Sequence, residues 1–266
     1  MDKAGSEYWT QFWKDASLPS PINFSGKSIH DYPYRILDKK FRKAFSGYDT
    51  KEKLILEIGC GNSAFLSYFH QAFGFQVHGL DYSEHGCMMT RKILERDKVP
   101  GEIRLGDAFN PDTDWTEKFD VVGSFGVVEH FDDTSGTLRS FSSFLKPGGL
   151  LITSLPNLAG LAGMIQRTMN KPVYDIHVPL TRERVSSAIR SAGLDEIFTD
   201  YYMSVDINVN LEGIDGKSIP ATRLKKMFLK PFRYGSKAVW YLEQVTGELP
   251  TSRLFSAGVF SVARKK

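Results

Sequence analysis

Lys53-Leu-Ile-Leu-Glu57-Ile-Gly59-Cys60-Gly61-Asn62-Ser63 is an apolar run that ends in a glycine-rich turn. The run predicts a strand over 53–58, and the residues after it predict a helix over 63–73 with Asn62 or Ser63 as its cap. A strand, a glycine turn and a helix N-terminus in succession form a ligand site. Glycine lets the backbone approach a bound molecule without a Cβ clash. The helix start offers free N–H groups to polar or negative atoms. By itself the loop leaves its ligand open. Gly59-x-Gly61-x-x-Ala64 satisfies a loose dinucleotide fingerprint, and Asp81 lies about 20 residues on, where a ribose-binding acid would stand. A tight βα turn with no ligand fits as well.

The rest of the chain extends the same alternation. Strands are expected at 76–80, 102–105, 119–124, 150–155, 196–203 and 257–263, with helices over 83–97, 134–145 and from Thr181 to Gly193. Pro147-Gly148-Gly149 reads as the turn into the fifth strand. Strands alternating with helices imply an α/β fold with a mostly parallel sheet and right-handed crossovers. Residues 1–50 are rich in aromatics and lack a strand signal. Ile36, Leu37, Phe41, Ala44 and Phe45 mark an amphipathic helix over 34–45. An insertion, 206–253, precedes the last strand and carries a helix over 221–245 interrupted by Pro231. The expected organisation is therefore an N-terminal helical and aromatic lid over 1–50 and a main domain over 51–266.

Composition narrows the function classes. The chain has 266 residues, a net charge of +3 and a pI near 8.7. That charge is too mild to argue for nucleic acid. Two cysteines, Cys60 and Cys87, cannot make a disulfide framework and fit a reducing, cytoplasmic compartment. The first residues lack an apolar core of the signal-peptide kind. The apolar stretch at 158–165 is far too short to span a bilayer, so no membrane insertion is expected.

Four further motifs follow the loop at strand ends: Asp81-Tyr82, Gly106-Asp107-Ala108-Phe109, Ser124-Phe125-Gly126-Val127-Val128-Glu129-His130, and Leu145-Lys146-Pro147-Gly148-Gly149. A carboxylate at Asp81 can accept from both hydroxyls of a ribose, and one at Asp107 from an adenine amino group. With these in place the sequence resembles the class I S-adenosylmethionine-dependent methyltransferases, in particular the small-molecule group of the ubiquinone-biosynthesis type. The resemblance covers about residues 50–200 and the final strand. It implies a Rossmann-like, doubly wound, mostly parallel seven-stranded sheet whose last strand is antiparallel, with S-adenosyl-L-methionine as cofactor. It also implies roles by position. Glu57, Gly59, Cys60 and Gly61 border the methionine part, Cys60 as a small loop residue and not a nucleophile. Asp81 holds the ribose with Tyr82 beside the adenine. Asp107, Ala108 and Phe109 meet the adenine edge, and the backbone at Phe125 and Gly126 receives the ammonium group.

For catalysis, Glu129, His130 and His177 are the candidates. Histidine titrates near neutral pH and can take a proton from a hydroxyl. The alternatives are that Glu129-His130 shapes its loop and that His177 serves a helix entry. No metal site is expected, because ligand spacing and thiolate clusters are lacking. Tyr8, Trp9, Phe12 and Trp13 recur at helical spacing and suit a lid, and Tyr32, Tyr34 or Arg35 could reach the methionine carboxylate. Arg223, Lys225, Lys226, Lys230, Arg233 and Lys237, interleaved with Met227, Phe228, Phe232 and Trp240, make the insertion basic. That pattern suits an acidic or carrier-bound acceptor, an anionic membrane surface, or simply a solvated face. The expected function is methyl transfer to an oxygen or nitrogen of a small metabolite: a natural product, a sugar or a quinone-like molecule. A nicotinamide-dependent oxidoreductase and a protein or nucleic-acid methyltransferase are the rivals. The sequence does not state the oligomeric state.

Overall fold

Side chains on a strand alternate between its two faces, so a strand buried on both sides is apolar throughout. The central strands of this chain follow that rule. Ile55, Val121 and Ile152 enter one core cluster, and their neighbours Leu56, Val122 and Leu151 enter the other. The computed structural model describes residues 2–14, 16–211 and 219–266, with the side chains of 219–224 left aside.

The elements run in chain order as α1 (Ser6–Lys14), α2 (Tyr32–Ala44), β1 (Leu54–Ile58), α3 (Phe65–Phe73), β2 (Gln76–Asp81), α4 (Glu84–Asp97), β3 (Gly101–Leu105), β4 (Phe119–Phe125), α5 (Thr134–Ser142), β5 (Leu145–Pro156), α6 (Leu161–Met169), α7 (Lys171–Asp175), α8 (Arg182–Ser191), β6 (Asp195–Tyr202), α9 (Ile219–Thr246) and β7 (Gly258–Arg264). The sheet has seven strands in the order β3-β2-β1-β4-β5-β7-β6. β1 pairs parallel with β2 and with β4, while β7 runs antiparallel to β5 and β6. The strand order reverses at β1 and β4, so the loops after these two strands diverge and leave a crevice. This is the Rossmann-like arrangement the motifs imply.

Local differences from the sequence reading have physical causes. Helix α3 starts at Phe65: Asn62 takes a left-handed φ of 55°, and the Ser63 hydroxyl accepts from Phe65 N–H instead of capping a longer helix. Helix α5 stops at Ser142, and Pro147-Gly148-Gly149 lies inside β5, where the pairing with β4 shifts register between Phe119 and Val121. Pro231 does not break α9, which continues to Thr246. The expected start of that helix near 221 and the cation Arg223 fall where side chains are not described, and part of the insertion, 212–218, lies outside the described residues.

Residues 1–50 divide into two pieces. Helix α1 packs on α4, whereas α2 is built into the sheet's core. Phe41 of α2 is buried against Phe69, Phe260 and Phe125 at ring-centroid distances of 4.9, 5.3 and 5.6 Å. Phe41→Ala removes a ring from this aromatic cluster and is expected to cost about 3–5 kcal/mol of stability. Urea unfolding followed by circular dichroism measures it, and a loss below about 1 kcal/mol would show that α2 is not a core element.

Candidate active site

A cavity of ≈ 260 Å³ opens at the carboxyl ends of β1 and β4, lined by Trp9, Trp13, Glu57, Gly59, Gly61, Ser63, Phe65, Asp81, Tyr82, Phe125, Gly126, Val127, His130 and Phe131. Two glycines make the loop after β1 fit. Gly59 has a φ of +73°, and a Cβ there would meet Val127 Cγ2 at 2.4 Å. A Cβ on Gly61 would lie 2.8 Å from Trp13 Nε1 and 2.9 Å from Asp81 Oδ2.

Asp81 closes the loop. Its Oδ2 accepts from Gly61 N–H and its Oδ1 from Ser83 N–H, both at 2.7 Å. One buried carboxylate thus joins the turn after β1 to the start of α4. Burial raises its pKa, and the two backbone donors oppose that rise. Each oxygen keeps a further lone pair for a ligand hydroxyl.

Glu57 is buried at the end of β1, with Oε2 lacking a hydrogen-bond partner. Burial drives its pKa up to about 8, against the pull of a hydrogen bond from Ser63. A lone buried acid bordering a cavity is stable mainly in its neutral form and would be ionised by a cationic ligand. The glycine cradle, the anchored Asp81 and this acid fit S-adenosylmethionine, which carries a ribose, an ammonium and a sulfonium.

His130 follows β4 and lines the same cavity. Its Nδ1 lies 2.9 Å from the Ile176 carbonyl, which can only accept, so Nδ1 carries the proton and Nε2 presents a lone pair. His177 repeats the arrangement, with Nδ1 2.5 Å from the Val173 carbonyl. The two rings stand 4.4 Å apart between centroids. Desolvation lowers both pKa values, and His177, further opposed by His130, falls to about 4. Both are neutral at pH 7. Glu129 is buried beside them, with Oε2 unpartnered and its pKa raised by burial to about 8. Ligand atoms of Glu129, His130 and His177 all lie within 4.8 Å of one another, a convergence that the sequence spacing did not reveal.

Other expected residues are placed differently. Cys60 is buried with its Sγ toward Gly79, in the apolar cluster behind the loop, so only its backbone belongs to the cradle. Burial pushes its thiol pKa well up. Asp107 is exposed and accepts from Phe109 N–H at 2.9 Å, and neither it nor Ala108 lines the cavity. Phe109 stands at the rim, its ring 4.8 Å from that of Phe131. Tyr32 and Arg35 turn away, toward Glu243 and Gln244 of α9.

Helix α1 covers the crevice. Trp9 meets the His130 ring edge-on at 5.1 Å, and the Thr10 and Ser83 hydroxyls lie 3.4 Å apart. Before the helix, Lys3 N–H donates to the His130 carbonyl at 2.9 Å, and Tyr82 donates to Asp2 at 3.3 Å. Phe65, Val127 and Phe131 also line the cavity and were not among the expected site residues. Their adjacency to the glycine loop and to Glu129-His130 was the available signal.

The family described as Methyltransferase domain matches residues 29–227. The chain belongs to that family. Ubiquinone biosynthesis O-methyltransferase from Cereibacter sphaeroides is 31% identical over 197 residues, covering 70% of this chain and 78% of the relative. The protein of the same name from Ruegeria pomeroyi is 31% identical over 151 residues, 54% of this chain and 60% of that one. Among solved structures, geranyl diphosphate C-methyltransferase from Streptomyces coelicolor A3(2) aligns with a TM-score of 0.61 at 12% identity, over 98% of this chain and 97% of the other. Phosphoethanolamine N-methyltransferase 2 from Haemonchus contortus aligns at 0.55 and 16% identity, over 87% and 52%. These two likenesses concern the fold. The enzyme is an S-adenosylmethionine-dependent methyltransferase, and the nicotinamide reading of its glycine loop is set aside by the family match.

Asp81→Asn replaces an acceptor with a donor at one oxygen and is expected to raise the S-adenosylmethionine Kd about 10- to 100-fold, as measured by calorimetry. Gly61→Ala should weaken binding in the same direction by displacing Trp13 or the Asp81 carboxylate. An unchanged Kd in both would remove the loop from the cofactor site.

Proposed function

We propose that this enzyme transfers the methyl group to a hydroxyl of a small, largely apolar metabolite, a phenolic or quinone-derived acceptor, with His130 as the general base. The observation that carries the reading is a buried histidine, its pKa lowered by burial and its Nδ1 held by the Ile176 carbonyl, that borders the same cavity as the glycine loop. The names of the curated relatives point to oxygen as the acceptor atom. The aromatic walls at Trp9, Phe125 and Phe131 suit a flat, apolar substrate.

S-adenosylmethionine supplies a methyl group already activated on a sulfonium sulfur. The chain's own work is alignment and proton removal. Gly59 and Gly61 would admit the cofactor's methionine part and Asp81 would accept from its ribose, while Tyr82 and Phe109 would flank the adenine. His130 accepts the hydroxyl proton at Nε2. Glu129, buried in the same cluster, can offset the imidazolium charge only by passing its own proton on to water. His177, with its pKa at about 4, is too weak a base for that role and orients its neighbour. Helix α1 excludes water from the reacting atoms.

His130→Ala is expected to lower kcat about 100- to 10,000-fold on a phenolic acceptor while leaving the cofactor Kd within about threefold. His177→Ala should cost less. Full turnover in His130→Ala would overturn the base assignment. The convergence of Glu129, His130 and His177 supports a second reading, a divalent cation that activates the hydroxyl. Under the base reading, turnover survives chelator treatment. Loss of activity with EDTA and its recovery with a divalent metal would favour the cation.

A further inference from the structure

Helix α9 carries three stripes. Leu229, Ser236, Trp240 and Glu243 are buried, with Trp240 Nε1 donating to the Val205 carbonyl at 2.7 Å. On the side away from this face, Met227, Pro231, Tyr234, Ala238, Tyr241, Leu242 and Val245 are all exposed, Tyr234 at 67% and Val245 at 86%. Their spacing of three and four residues makes one continuous line along the helix. Beside it, one residue earlier each time, run Lys226, Lys230, Arg233 and Lys237.

A solvated helix face is polar, and an apolar line of this length on water is costly unless something covers it. We infer that α9 docks on an anionic phospholipid surface, lying in the plane of the headgroups with its exposed apolar line in the acyl boundary and its lysines on the phosphates. Charge complementarity selects that occupant over a second copy of the chain. From Ile219 to Thr246 the helix has one acid, Glu243, and it is buried, accepting from the Tyr32 hydroxyl at 2.8 Å. Two copies of this helix laid together would face lysine with no carboxylate. An anionic membrane supplies the missing charge, and the tyrosines suit the water boundary. No described helix is long and apolar enough to cross a membrane. The buried face ties α9 to the body through Trp240 and Tyr32, so docking needs no unfolding. The inference stands apart from the identity of the base and of the acceptor.

Vesicle co-sedimentation of the full chain tests it, with phosphatidylcholine alone and with roughly 30% phosphatidylserine added. Binding is expected only to the anionic vesicles and is released by about 1 M salt. A Lys226→Gln, Lys230→Gln, Lys237→Gln variant should bind about a hundredfold more weakly, near fivefold per lysine. A Met227→Ser, Leu242→Ser, Val245→Ser variant should lose binding while keeping its thermal midpoint and its cofactor Kd. Absence of wild-type binding to anionic vesicles, or binding that ignores both variants, overturns the inference. So does a wild-type dimer in light scattering that the serine variant converts to monomer, which would make a second copy the occupant.

Discussion

One carboxylate holds the site together. Asp81 accepts from Gly61 N–H on one oxygen and from Ser83 N–H on the other, each at 2.7 Å. The first bond shapes the loop after β1, and the second seats the start of α4, whose N-terminal cap is the Ser83 hydroxyl itself. Because the carboxylate is buried and its partners are backbone, the bonds are strong and their geometry fixed. Gly61 must be glycine so that the carboxylate and Trp13 can both come close. The loop's shape, the direction of α4 and the docking of α1 on α4 all depend on this contact.

Around that anchor, charge and apolar surface are arranged in opposition. Glu57 and Glu129 are both buried with an unpartnered oxygen, and burial holds both near the top of the carboxyl range, at about 8. Two histidines beside Glu129 are held neutral by the same loss of water. The cavity is thus lined by the Asp81 carboxylate, the buried acid Glu57, the His130 imidazole and two tryptophans. It is suited to a ligand that brings positive charge and to an acceptor that must lose a proton.

The sheet was legible in the sequence because its central strands are buried on both faces and appear as apolar runs, while the edge strands β3 and β6, partly exposed, carry weaker ones. All seven strands stand where those runs predicted, within a few residues. The grouping of the expected cofactor residues has a related reason: motifs at the ends of parallel strands must meet in one crevice, and Glu57, Gly59, Gly61, Asp81, Tyr82, Phe125 and Gly126 do line one cavity. What escaped depends on side-chain direction. Asp107 and Ala108 lie in a strand-end motif, yet Asp107 is exposed and Ala108 packs against the core, and neither lines the cavity. Cys60 sits in the loop yet points to the core. Trp9 reaches His130 only because α1 folds back across the crevice, a contact between residues 121 positions apart. The convergence of His177 on His130 likewise depends on the path of the chain after α7, which no local spacing encodes.

The central claim is that the glycine loop is an acid-lined cradle waiting for a cation. A carboxyl with a free-state pKa at about 8 is mostly protonated at pH 7. A positively charged ligand lowers that pKa, so binding at pH 7 releases a proton, and affinity rises with pH until it levels off above about 8. Calorimetric titration of S-adenosylmethionine at pH 7, in two buffers of different ionisation enthalpy, measures the proton directly. The account predicts release of nearly one proton by the natural enzyme, and a clearly smaller release by Glu57→Gln. Binding with no dependence on buffer, or with proton uptake, would contradict it.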